Sequence, residues 1–160
     1  GLERTHPLAP RFILRAVAGA QPFGDAIAFA LIEALADHDF VGGAGRAGIV
    51  TVSSTTLTSD HLRGAGVPLD TPIIGSEVGQ EFSRVILGDE SVLDIDQSRA
   101  DIIAAGRALC SQYPDIGALV LECTNMVPFA AEVSDALGIP VFDFYSLVTW
   151  FQAGLSPRRF

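Results

Sequence analysis

An α/β domain with an open parallel sheet is what this sequence predicts, on three observations. From residue 48 onward short β-branched runs alternate with segments of helical spacing, the rhythm of parallel strands joined by crossover helices. The first of these runs is apolar enough for a strand buried on both faces. And 160 residues that are 49% hydrophobic and 18% charged supply one domain's worth of core.

Each element follows from local signals. Residues 48–54, Gly-Ile-Val-Thr-Val-Ser-Ser, form the first expected strand and open into a hydroxyl-rich loop of Ser53, Ser54, Thr55 and Thr56. Ser59 caps a short helix through Leu62 that Gly64 and Gly66 stop. Residues 72–75 are a second short strand. Helical spacing covers 80–87 and 96–112, and in the latter Ile102, Ile103, Gly106, Leu109 and Cys110 share one face, which makes Cys110 core. The strongest strand is 118–122, ending at Cys123, Thr124, Asn125 and Met126. A helix over 128–137 follows, closed by Gly138. A last strand at 140–143 leads into an amphipathic stretch at 146–155.

Residues 1–44 are less legible. An apolar helix fits 26–36, but Pro7, Pro10, Pro22 and Gly24 break up what precedes it. The glycine run that begins at Gly42 precedes a strand, whereas a dinucleotide-binding glycine loop follows one and opens a helix, so no nucleotide site is expected there.

Composition excludes several functions. Nineteen acidic side chains against ten basic ones leave a net charge of -9, the wrong sign for gripping nucleic acid or anionic lipid. All ten basic residues are Arg. Without Lys there is no Schiff base to pyridoxal phosphate and no P-loop Lys. Cys110 and Cys123 are too few for a disulfide scaffold or a zinc knuckle, and His6, His38 and His61 show no metal spacing and read as solvated surface residues. No metal is therefore expected, and a reducing cytoplasm fits best. No signal peptide or membrane span is visible, and a start at Gly1 rather than Met is what a trimmed chain or an incomplete reading frame would give.

Ligands of open α/β sheets bind where strands stop, which singles out three edges: Ser53 to Thr55, Cys123 to Asn125, and Asp143 to Ser146. A thiol at a strand end ahead of a helix meets unpaired N–H groups that lower its pKa and hold an anion. The plain alternative is that Cys123 is a small buried hydrophobe and that the hydroxyls form a self-capping turn. The role of Glu122 stays open.

The residues Leu121, Glu122, Cys123, Thr124, Asn125 and Met126, followed by Pro128, a helix and the run 138–143, resemble the second half of the aspartate/glutamate racemase superfamily, in its Cys-Thr-Asn subgroup. The strand at 48–54 with residues 57–62 resembles the opening of that family's second lobe. The resemblance covers residues 45–160. It implies a flavodoxin-like parallel sheet with helices on both faces, and a cofactor-independent isomerase that moves a proton by thiol chemistry at the carbon α to a carboxylate. Cys123 would be catalytic, Thr124 and Asn125 would hold the substrate carboxylate, and Ser53, Ser54 and Thr55 would add donors. Residues 1–44 would be a remnant or replacement of the first lobe, 45–145 the racemase-like lobe, and 146–160 a C-terminal helix packing on the first lobe. The expected partner is a small carboxylate, with no nucleic acid and no membrane, and with a second copy or a missing first-lobe segment covering exposed apolar surface. The family's first cysteine has no counterpart in residues 1–44. Two alternatives remain at this level: a single-cysteine decarboxylase of substituted malonates, and a non-catalytic carboxylate-binding lobe.

Overall fold

The structure, a computed structural model, describes residues 45–155. The helix expected at 26–36 and the remnant expected over 1–44 lie outside these residues. The described chain is α/β. Four strands, β1 (Arg46–Thr51), β2 (Ile73–Gly75), β3 (Ile116–Leu121) and β4 (Val141–Phe142), form one sheet in the order β2-β1-β3-β4, and every pairing is parallel. The helices are α1 (Ser59–Ala65), α2 (Glu81–Leu87), α3 (Ile95–Gln112), α4 (Ala130–Leu137) and α5 (Phe144–Leu155), with short 3-10 turns at Ser76–Val78 and Thr124–Phe129.

Alternation along the strands divides the core between two faces. Val50, Val52, Leu119 and Leu121 pack with Phe82 of α2, Ile102 and Leu109 of α3, and Val133 of α4. Ala47, Ile49 and Val120 pack on the other face with Leu62, Val67 and, partly buried, Leu147 of α5. This is the period-2 consequence of a central strand pair covered on both sides. Cys110, expected as core from its helical position, is half-buried at the margin of the first of these clusters. Gly48 lets α3 approach the sheet closely: an added Cβ would lie 2.8 Å from Ile116 Cδ1 and 2.9 Å from Leu109 Cδ2.

Boundaries shift where capping is finer than hydrophobic pattern. Thr58, not Ser59, is the N-cap of α1; its N–H donates to His61 Nδ1 at 3.0 Å, and Gly66 at φ 74° closes the helix. His61 is thus a half-buried capping residue rather than a freely solvated one. Asp94 caps α3 by accepting from the Gln97 N–H at 3.0 Å. Helix α2 has no side-chain cap of its own, since Gln80 precedes it at φ 79°. Instead the buried Asp101 of α3 accepts from the Phe82 N–H at 3.1 Å and from Gln97 Nε2 at 2.8 Å, so a tertiary contact supplies the cap. The helix expected from residue 128 begins two residues later, because Pro128 falls within a 3-10 turn, and it ends at Gly138 (φ 68°) as expected. No helix among the described residues is long and apolar enough to cross a membrane.

Candidate functional site

The carboxyl ends of β1, β2 and β3 lie side by side, because Thr51 pairs with Gly75 and Val50 with Leu121. A buried hydrogen-bond chain pins the first two. Ser83 Oγ of α2 donates to the Val52 carbonyl at 2.8 Å and pairs with Ser76 Oγ at 2.9 Å. Between β1 and β3, the buried Thr51 Oγ1 donates to Glu122 Oε2 at 2.8 Å, and the Glu122 N–H donates to the Val50 carbonyl at 2.9 Å.

Cys123 follows β3 with extended backbone (φ -76°, ψ 129°) and starts the 3-10 turn of Thr124–Phe129. It is half-buried and packs against the larger core cluster. Burial pushes its thiol above the ordinary range, and the Glu122 carboxylate adds to that; the N–H groups of Asn125 and Met126 and the Asn125 side chain pull the other way. The expected net depression of this pKa is therefore not found. The element after the strand is a six-residue 3-10 turn rather than an α-helix, so the aligned dipoles at the sulfur are few. Burial also raises the Cys110 thiol.

Thr124 and Asn125 are exposed at the rim, beside the sulfur. Ser53 is buried and exchanges a hydrogen bond with Thr55 Oγ1 at 2.9 Å, and Thr56 Oγ1 donates to the Ser53 carbonyl at 3.0 Å, so this part of the loop is a self-capping turn. Ser54 behaves differently. Its N–H (2.9 Å) and its hydroxyl (2.6 Å) both donate to Glu77 Oε1. The third expected edge is likewise closed on itself: Asp143 accepts from the Ser146 N–H at 2.7 Å and caps α5.

Glu77 did not stand out in the sequence, although the strand-end rule reaches it, two residues beyond β2. Its side chain folds back over Gly75, where any Cβ would collide with the carboxylate. Its second oxygen, Oε2, is buried and receives no hydrogen bond among the described residues. The described residues contain no group of three or more His, Cys, Asp or Glu able to hold a metal.

Two named proteins are similar to this chain. A dimethylsulfoniopropionate lyase of Durusdinium sp. clade D is 29% identical over 129 residues, 76% of this chain and 42% of that protein. Dimethylsulfoniopropionate lyase 5 of Emiliania huxleyi (strain CCMP1516) is 34% identical over 81 residues, 51% of this chain and 16% of that protein. The chain thus spans less than half the length of either. No family model matches it, and no solved structure matches it. These relatives correct the family reading: they are named as lyases, not as aspartate/glutamate racemases, and the isomerase activity inferred from the racemase resemblance falls with it. Neither the malonate decarboxylase nor the non-catalytic alternative is supported by them. The resemblance rested on motif runs at 48–62, 121–128 and 138–143, whereas the similarity to the Durusdinium lyase is an identity of 29% counted over 129 residues.

Proposed function

We propose that this chain cleaves dimethylsulfoniopropionate to dimethyl sulfide and acrylate, with Cys123 as the base. The observation that carries this reading is the Cys123 thiol, half-buried at a strand's carboxyl end among N–H donors, in a chain whose two named relatives are both dimethylsulfoniopropionate lyases. The reaction suits such a site. The proton removed lies on C2, next to the carboxylate, and the sulfonium sits one carbon further on. The Cys123 thiolate takes that proton, the C–H electron pair becomes the C2–C3 double bond, and the C3–S bond breaks with its pair leaving on neutral dimethyl sulfide. The thiol then returns its proton to water, so atoms and charge balance with no oxidant or reductant.

Two physical demands follow. The carboxylate must be held so that negative charge developing on it is stabilised, a role we assign to Thr124 and Asn125 at the rim. The base must be a thiolate, and a desolvated thiolate is a stronger base than a solvated one, which gives the raised thiol a use once it has ionised. Ser53 and Thr55 shape the opposite edge through their own hydrogen bond. The strand order matches that of a flavodoxin-like sheet over its first four strands, and we read the fold in that sense. The two free cysteines suit a reducing compartment such as the cytoplasm.

Headspace gas chromatography of the chain incubated with dimethylsulfoniopropionate tests the proposal. Dimethyl sulfide should appear, and Cys123→Ala should lower its rate by about a hundredfold or more, the usual scale for loss of a positioned base. No dimethyl sulfide from the unaltered chain, or equal release from Cys123→Ala, overturns it.

A further inference from the structure

We infer that Glu77 is the specificity residue for the substrate's positive end: its fixed carboxylate, oriented by Ser54, favours a sulfonium acid over a neutral acid of the same shape. This rests on the lyase reading above. Three features of Glu77 point to it. Its Oε1 accepts two hydrogen bonds from Ser54, so the carboxylate is locked rather than free in solvent. Its Oε2 is shut off from water and accepts no hydrogen bond among the described residues, so neither a donor nor solvent neutralises the charge there. And Gly75, level with Thr51 in the sheet, leaves the space the folded-back side chain occupies.

Placement makes the charge relevant to Cys123. Glu77 follows β2, Cys123 follows β3, and β1 lies between them, so the two stand two strand spacings apart, roughly 10 Å between backbones. A substrate whose C2 lies at the Cys123 sulfur and whose carboxylate lies at Thr124 and Asn125 would direct its sulfonium toward β1 and β2. A trialkylsulfonium carries a full positive charge but no N–H or O–H. It cannot reward an ordinary hydrogen-bond acceptor, and what recognises it is an under-compensated negative charge held in place. Selection by charge without hydrogen bonds also disfavours dicarboxylates, which this edge repels.

The test compares two ligands that differ only in charge. In 4-methylpentanoate a neutral CH replaces the sulfonium sulfur while the carboxylate and the two methyl groups stay. Calorimetric titration of the full chain with each ligand, alongside dimethyl sulfide release, is carried out on wild type, Glu77→Gln and Ser54→Ala. Glu77→Gln should weaken dimethylsulfoniopropionate binding roughly tenfold and leave 4-methylpentanoate unchanged, the scale expected for one partly screened charge pair. Ser54→Ala keeps the charge and one of its two tethers, so it should show a smaller loss with the same ligand preference; it carries the test if Glu77→Gln fails to fold. Equal effects on both ligands, or none on either, overturn the role of Glu77 while dimethyl sulfide release by wild type leaves the lyase reading standing. A wild-type chain that neither binds nor cleaves dimethylsulfoniopropionate overturns both.

Discussion

Replacing Ser83 by Ala should destabilise the chain more than its single hydroxyl suggests, because that hydroxyl joins three elements. It donates to the Val52 carbonyl at 2.8 Å and pairs with Ser76 Oγ at 2.9 Å, and Ser76 and Ser83 are 0% and 3% exposed. With Ser83 committed as donor to Val52, Ser76 donates to Ser83. Ser83→Ala therefore strands a carbonyl and a hydroxyl where water does not reach, each costing about 1–3 kcal/mol, for a total of roughly 3 kcal/mol. Ser76→Ala removes one donor and leaves Ser83 still bonded to Val52, so it should cost about 1 kcal/mol. The double variant strands only the Val52 carbonyl and should be no worse than Ser83→Ala alone, a non-additivity of about 1 kcal/mol or more. Urea unfolding followed by circular dichroism reads this directly: with a slope of about 2 kcal/mol per molar, Ser83→Ala should lower the midpoint by roughly 1.5 M. Additive losses in the double variant would refute the chain of donors. A loss below about 0.5 kcal/mol for Ser83→Ala would show that the strand ends are not held by it.

Activity that needs the Cys123 thiolate should rise with pH along a limb lying above the ordinary thiol range, since burial and Glu122 both push that group up. Glu122→Gln removes the neighbouring negative charge and should move the limb of kcat/KM to lower pH while its amide oxygen still accepts from Thr51; an unmoved or raised limb would contradict the assignment of base. Mass-mapped iodoacetamide labelling, run as pH rises, should show 4-methylpentanoate protecting Cys123 and not Cys110, and protection of both or neither would separate Cys123 from the ligand site. Gly48→Ala should lower stability by about 1–3 kcal/mol in the same urea assay despite the better intrinsic preferences of Ala, because the methyl meets Ile116 and Leu109; unchanged stability would mean that α3 has slack to retreat.

Hydrophobic pattern and punctuation are local properties, and they determined most of the fold from the sequence alone. The runs at 48–54 and 118–122 are strands within two or three residues at each end, Gly66 and Gly138 stop helices because only a residue tolerant of positive φ fits there, and the α3 face carrying Ile102, Gly106 and Leu109 is the buried one. The strand-end rule likewise placed Cys123 at the sheet's carboxyl edge. What only the tertiary structure decided depends on groups far apart in sequence. Asp101 caps α2 from 19 residues away, Thr51 reaches Glu122 across 71, and Ser54 holds Glu77 across 23. The strand-end rule reaches Glu77 without singling it out, because its significance comes from Ser54 in the loop after β1 and from a glycine two residues back whose missing side chain makes room for it. The direction of the Cys123 pKa is of the same kind: the donors that lower it are adjacent in sequence, but the burial that outweighs them is a property of the packed core, and desolvation of a charge exists only once the chain has folded around it.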